Sequence, residues 1–200
     1  MKTRFVFSFI VLCIAASLVA FGCMQPKVNV DMSEYKNEKF GYSLQYPSAC
    51  TFGPMPRGCK QNPPEERPQE CLCFINAEEA NRVFLQSYQG DIEQGFTLAE
   101  FSIASYETSF FNPPPGVELV SWLQENFAER YNDIPDEPNT EIGGIPAVAI
   151  YSPQSPMAPS LREIYFMKDN RLFQVSMLYV ENEDNQALYD QLLSTFSWDK

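Results

Sequence analysis

The chain has 200 residues, with 14 Lys plus Arg against 26 Asp plus Glu and a net charge of −12 at neutral pH. Binding to nucleic acid depends on neutralising phosphates with Lys and Arg, so this balance excludes that class of partner. There is no histidine, which removes every Ser-His-Asp or Cys-His arrangement and the commonest transition-metal ligand.

Lys2 and Arg4 precede an apolar run from Phe5 to Phe21, and the run closes on Ala20-Phe21-Gly22-Cys23. An apolar stretch of about 17 residues enters the secretion machinery but falls short of the ~20 that a stable span needs. The segment resembles the lipobox of bacterial lipoproteins, departing from it in Ala20, where that family usually carries Leu, and in the bulk of Phe21. The resemblance implies a signal peptide at 1–22 and diacylglyceryl modification of the Cys23 thiol. An uncleaved anchor or plain secretion are the alternatives. All three place the remaining chain outside the cytoplasm, at the cell membrane or cell envelope for the lipoprotein reading. Cleavage loses Lys2 and Arg4, which takes the charge from −12 to −14. Contact with anionic lipid then runs through acyl chains and not through a basic surface.

Cysteine usage agrees with export. Cys50, Cys59, Cys71 and Cys73 remain after Cys13 leaves with the signal and Cys23 takes lipid, an even number in an oxidising compartment. A bridge between Cys71 and Cys73 is strained, which sets aside 50–59 with 71–73. The nested arrangement, Cys50–Cys73 with Cys59–Cys71, suits two antiparallel segments and is favoured. The crossed arrangement, Cys50–Cys71 with Cys59–Cys73, stays open.

Residues 23–37 are polar and unpatterned and read as a flexible tether. The domain, 38–200, opens with Tyr42, Leu44 and Tyr46 alternating with polar residues, a half-buried strand stopped by Pro47. Residues 50–73 carry Pro54, Pro56, Pro63, Pro64 and Pro68 and almost no large apolar residue after Phe52, the composition of a surface insertion stapled at its base. Strands are expected at Cys71–Asn76, Arg82–Gln89 and Phe96–Glu107, the last with a slip near Glu100 that reads as a bulge.

After Asn112-Pro113-Pro114-Pro115-Gly116, the spacing of Val117, Val120, Leu123, Phe127 and Tyr131 predicts an amphipathic helix over 117–131. A polar loop, 132–140, precedes Gly143-Gly144 and a strand at 145–151. Strands at 161–168 and 171–180 flank the turn signal Asp169-Asn170. Leu188, Leu192, Leu193 and Phe196 mark a last helix over 183–196. The order gives a single α+β domain, a mostly antiparallel twisted sheet flanked by helices.

Phe40-Gly41-Tyr42-Ser43-Leu44-Gln45-Tyr46-Pro47-Ser48, Gly143-Gly144-Ile145-Pro146-Ala147, the 165–179 hairpin and Leu192-Leu193-Ser194-Thr195-Phe196-Ser197-Trp198 together resemble the PsbP-like family. The resemblance implies an antiparallel sheet sandwiched by helices. It also implies kinship with small exported lipoproteins. The family usually follows Tyr-Pro-Ser with a tryptophan-containing turn, whereas Ala49-Cys50 here opens the cysteine-bearing insertion. Fold kinship by itself assigns no photosynthetic role.

The search for chemistry is mostly negative. Gly143-Gly144 lacks the lysine and helix of a phosphate loop. Asp133, Asp136, Glu137 and Glu141 are the acidic candidates for Ca²⁺ or for carboxylate-dependent hydrolysis, yet their spacing fits no calcium loop and reads as a solvated loop. Glu181, Glu183 and Asp184 suit a helix N-terminus. Phe110-Phe111 are adjacent rings in a loop, which read as packing over the sheet edge, with a partner contact by one exposed ring as the alternative. The expectation is a non-catalytic, lipid-anchored accessory or assembly factor of a cell-envelope complex, not an enzyme, with no cofactor and a protein partner at the membrane surface. A Ca²⁺ or small-solute binder is the alternative, and a hydrolase the remotest reading.

Overall fold

Alternation organises the chain from its first ordered element. The computed structural model describes residues 31–53, 73–77, 82–91, 95–106 and 113–199. β1 (Met32–Asn37) pairs antiparallel with β2 (Tyr42–Pro47), Met32 opposite Pro47 and Asn37 opposite Tyr42. Residues 32–37 are therefore sheet and not tether. The polar composition hid the strand because β1 is an edge: Glu34 and Lys36 face solvent while Tyr35 and Asn37 are buried. Charged residues are how soluble proteins blunt such edges.

Two sheets form. β1, β2 and the short β11 (Ser197–Trp198) make one. The other has eight strands, β3 (Thr51–Phe52), β4 (Cys73–Asn76), β5 (Arg82–Asp91), β6 (Gly95–Tyr106), β7 (Thr140–Ile142), β8 (Ile145–Ser152), β9 (Leu161–Lys168) and β10 (Arg171–Leu178), in the order β3-β4-β5-β6-β10-β9-β8-β7. Among the described residues every pairing is antiparallel except β3 with β4. With helices α1 (Leu119–Phe127) and α2 (Glu183–Ser194), the architecture is α+β and mostly sheet.

The register of β6 against β5 and β10 runs without an extra residue through Glu100, so the expected bulge is absent. The slip in its pattern is a change of face: Ala99, Phe101 and Ile103 point to one core, and Leu98 lies on the opposite side with Glu100. At the last pair of β6 and β10 the Tyr189 hydroxyl sits between the strands, accepting from the Glu100 amide at 2.9 Å and donating to the Leu178 carbonyl at 2.5 Å.

The eight-stranded sheet buries both faces over its middle. One face packs Ile164, Phe166, Phe173, Val175 and Met177 against the small sheet and α2. Phe166 and Phe173 stack with centroids 5.2 Å apart, and Trp198 meets both edge-on. On the opposite face Trp122 and Leu123 of α1 cover Val148, Ile150, Tyr165 and Leu172.

Ends of elements follow local chemistry. The expected helix over 117–131 is shorter, ending at Phe127, whose carbonyl then takes the amides of Arg130 and Tyr131 in a turn. Asn182 caps α2 by accepting from the Asn185 amide, with Glu183 and Asp184 in the first turn where the helix dipole favours them. α2 stops at Ser194, short of Phe196, because the chain turns there to set Phe196 in the core and to pair Trp198 with Tyr42. Asp169 and Asn170 both take positive φ in a two-residue hairpin, as their sequence predicts.

Cys50 is bridged to Cys73, with Cα atoms 4.5 Å apart. That pairing belongs to the nested arrangement and is incompatible with the crossed one. Cys59, Cys71 and most of the insertion lie outside the described residues, as do the signal segment and Cys23.

The polar loop before Gly143-Gly144 ends in β7, which the sequence pattern missed. Gly143 and Gly144 form the β7–β8 turn at φ 56 and 80. A Cβ on Gly143 would stand 2.9 Å from both Cδ1 and Nε1 of Trp198. Gly143→Ala is therefore expected to cost about 1–3 kcal/mol, from the left-handed backbone and the displaced indole together. A urea titration checks it; a loss below ~0.5 kcal/mol contradicts the packing described.

Candidate functional site

Strand β9 sets the problem that the site solves. Ile164 and Phe166 face the core beneath α2, so Glu163 and Tyr165 must face α1, and that side is also covered. Glu163 is only 2% exposed. A carboxylate taken out of water is tolerated only when its lone pairs are used.

Four elements contribute to the network around it. Arg130, in the turn after α1, donates through Nη2 to Oε1 at 2.8 Å and to Oε2 at 3.0 Å. Tyr131 donates its hydroxyl to Oε2, and the Gln174 amide of β10 donates to Oε1. Tyr165 lies with its hydroxyl 3.4 Å from Oε1 and 2.6 Å from that of Tyr131. Tyr106 of β6 donates to the Gln174 carbonyl, which fixes that amide with its nitrogen toward the carboxylate. An ionised carboxylate only accepts, and every neighbour here has a proton to give.

The electrostatics follow from this. Desolvation works against the Arg130 charge, but Glu163 and the surrounding tyrosine hydroxyls outweigh it and raise the guanidinium pKa. Burial, with the hydrogen bond to Glu163, pushes the Tyr131 hydroxyl far above its ordinary value. Burial and the Glu163 charge also raise Tyr165 and Tyr106.

Beside this network lies an open trough of about 520 Å³. Its floor comes from small residues on adjacent strands. One row across the sheet reads Arg82, Ala104, Gln174, Tyr165; the next Phe84, Ser102, Ser176, Glu163; the third Gln86, Glu100, Leu178, Leu161. Helix α1 covers the β8–β9 side, and Ser102, Ala104 and Ser176 leave a depression between Phe84 and Glu163. Arg82 lies over Phe84, its guanidinium carbon 5.8 Å from the ring centroid. Gln86 donates to Glu100 at 2.6 Å.

The acidic residues picked from sequence are elsewhere. Asp133, Glu137 and Glu141 are exposed, and Asp136 accepts from Gln124 at 3.1 Å. No group of three or more acidic, cysteine or histidine side chains able to hold a metal ion forms among the described residues. Glu181 accepts from the Tyr151 hydroxyl at 2.6 Å and the Gln154 amide at 3.2 Å, which pins the 152–160 loop. Phe110 and Phe111 lie outside the described residues. The sequence reading passed over Glu163 and Arg130. The available signal was Leu161-Arg-Glu-Ile-Tyr-Phe-Met, a strand apolar enough to be covered on both faces yet carrying one acid at an inward position.

No family model matches this chain, and no match emerges among curated proteins or solved structures.

Two outcomes follow from the network. Glu163→Gln keeps the shape but turns one acceptor into a donor facing donors, and is expected to cost about 2–4 kcal/mol in a urea titration; an unchanged midpoint contradicts the assignment. The buried tyrosines hold their protons above the unfolded value of about 10, so their contribution is complete below that pH and is lost as pH rises through the folded values. The melting temperature should therefore fall above pH ~10, with phenolate absorbance from these tyrosines appearing only as the protein unfolds.

Proposed function

We propose that this is an exported lipoprotein of the PsbP-like kind, tethered to a membrane through acylated Cys23, and that it serves as a non-catalytic accessory of a cell-envelope complex. The secretion signal and Cys23 supply the tether. The sheet with helices on its two faces agrees with what the PsbP-like resemblance implies. Because β1 starts at Met32, the stretch from Cys23 to Asp31 spans at most about 30 Å, which keeps the domain near the lipid surface.

The observation that carries the reading is an apolar group on a pinned loop. Met157, at the tip between Ser155 and Ala158, is 97% exposed. Tyr151 and Tyr179, at the two ends of the same region, are also exposed. Glu181 holds Tyr151 and Gln154, and the Ser160 carbonyl takes the Tyr179 amide at 2.7 Å. A loop fixed at several points while presenting methionine and tyrosine suits protein contact, where both residues are enriched. Glu163 supports the non-catalytic part: it is buried and its oxygens are engaged by Arg130, Tyr131 and Gln174, as in a structural polar network.

A photo-crosslinking residue at Met157, in intact cells, is expected to give one discrete protein adduct in the membrane fraction. Cys23→Ser should release the protein from membranes, leave its circular dichroism unchanged and abolish the adduct. Persistence of the Cys23→Ser protein on membranes overturns the tether, and an adduct unaffected by its release overturns the membrane-bound partner.

A further inference from the structure

The trough over β5, β6 and β10 carries chemistry that the fold does not consume. We propose that it binds a small organic carboxylate, the anion held between Arg82 and Arg130 and the body lying over Ser102, Ala104 and Ser176 against Phe84. The inference goes beyond the accessory role and does not depend on lipidation.

Charge is the first argument. Of Arg82, Arg130, Arg162 and Arg171, the arginines among the described residues, two line this one trough of an acidic protein. Arg130 spends only Nη2 on Glu163, leaving Nη1 and Nε without a hydrogen bond among the described residues, and its side chain is half exposed. Arg82 makes no hydrogen bond or ion pair among them and is held over the Phe84 ring. Among the described residues, two guanidiniums against one buried carboxylate leave a single positive charge at this end. That matches a monoanion and disfavours a phosphate dianion. A guanidinium fork fits the planar carboxylate in two parallel hydrogen bonds.

Shape and polarity are the second. A volume of about 520 Å³ lies within the range of small-molecule sites, ~300–1,000 Å³. Ser102 and Ser176 sit opposite each other in the middle row, so the floor offers hydroxyls between an aromatic wall and a polar one. Glu100 stands four residues from Ala104 along β6, about 14 Å away and beyond the screening length at physiological salt. Among the described residues it leaves the Arg82 charge without a counter-charge and gives the far end the opposite sign. The trough is therefore polarised, and an anion enters toward Arg82.

The test is a calorimetric titration of the full-length protein in detergent with hydrocinnamate, an aryl carboxylate, and with its uncharged amide. The acid is expected to bind with a dissociation constant of about 1 mM or tighter, and the amide at least tenfold more weakly, roughly the worth of one charge-assisted pair. Arg82→Gln, at an exposed position, should weaken the acid about tenfold. Ser102→Leu, which fills the floor without touching the guanidiniums, should abolish binding. Absence of heat with the acid, equal binding of acid and amide, or undiminished binding by Ser102→Leu each overturns the carboxylate site. The membrane-dependent Met157 adduct surviving in Ser102→Leu would leave the accessory role standing while the trough proposal fell.

Discussion

Strand β9 and the part of β10 beside it are covered on both sides, and the rest of the molecule answers to that constraint. One side of the pair is aromatic, closed by α2, Phe196 and Trp198. The other cannot be wholly apolar, since Glu163 and Gln174 alternate with Ile164 and Val175. Burying those polar groups requires partners from four elements, and Arg130 and Tyr131 reach Glu163 only because the helix before them ends at Phe127. The short helix, the turn and the tyrosine cluster are thus one solution to a single desolvation problem. Removing one partner would strand a buried charge, whereas an apolar substitution of the whole set would not.

Much of the fold was legible because its signals are local. The alternation of Tyr42, Leu44 and Tyr46, the Asp169-Asn170 turn and the leucine spacing of the last helix each need only a few neighbouring residues to be read. What escaped depends on distant partners. β1 is a strand because β2 offers it an edge, and one buried tyrosine amid Ser33, Glu34 and Lys36 gives almost no periodic signal. β7 and β11 are short and exist only through pairing with β8 and β2. The slip at Glu100 was visible, but not that it marks a change of buried face, nor that the Glu100 amide there donates to Tyr189, almost ninety positions away.

The polar site was the least legible part, for a physical reason. Sequence inspection ranks acids by clustering, and Asp133, Asp136 and Glu137 cluster because a solvated loop tolerates them. A buried acid stands alone in its strand and collects partners from elsewhere, so Arg130, Tyr131, Tyr106 and Gln174 leave no mark near Glu163 in the chain. The trough was hidden likewise, since Ser102, Ala104 and Ser176 are small for no reason visible within their own strands. Only the pairing of β6 with β10 makes them a floor.

The Cys50–Cys73 bridge has a further consequence. The single parallel pairing, β3 against β4, forces the chain to leave the sheet edge and return before it can start β4, and the bridge fastens the point of departure to the point of return. Residues 54–72 are thus attached through a neck closed by this bridge. Lengthening such a loop costs only logarithmically in entropy, so its length and sequence are free to vary while the sheet stays constant. A loop joined to a sheet through such a neck makes a natural cassette, a place where sequence can be rewritten at little entropic cost to the fold.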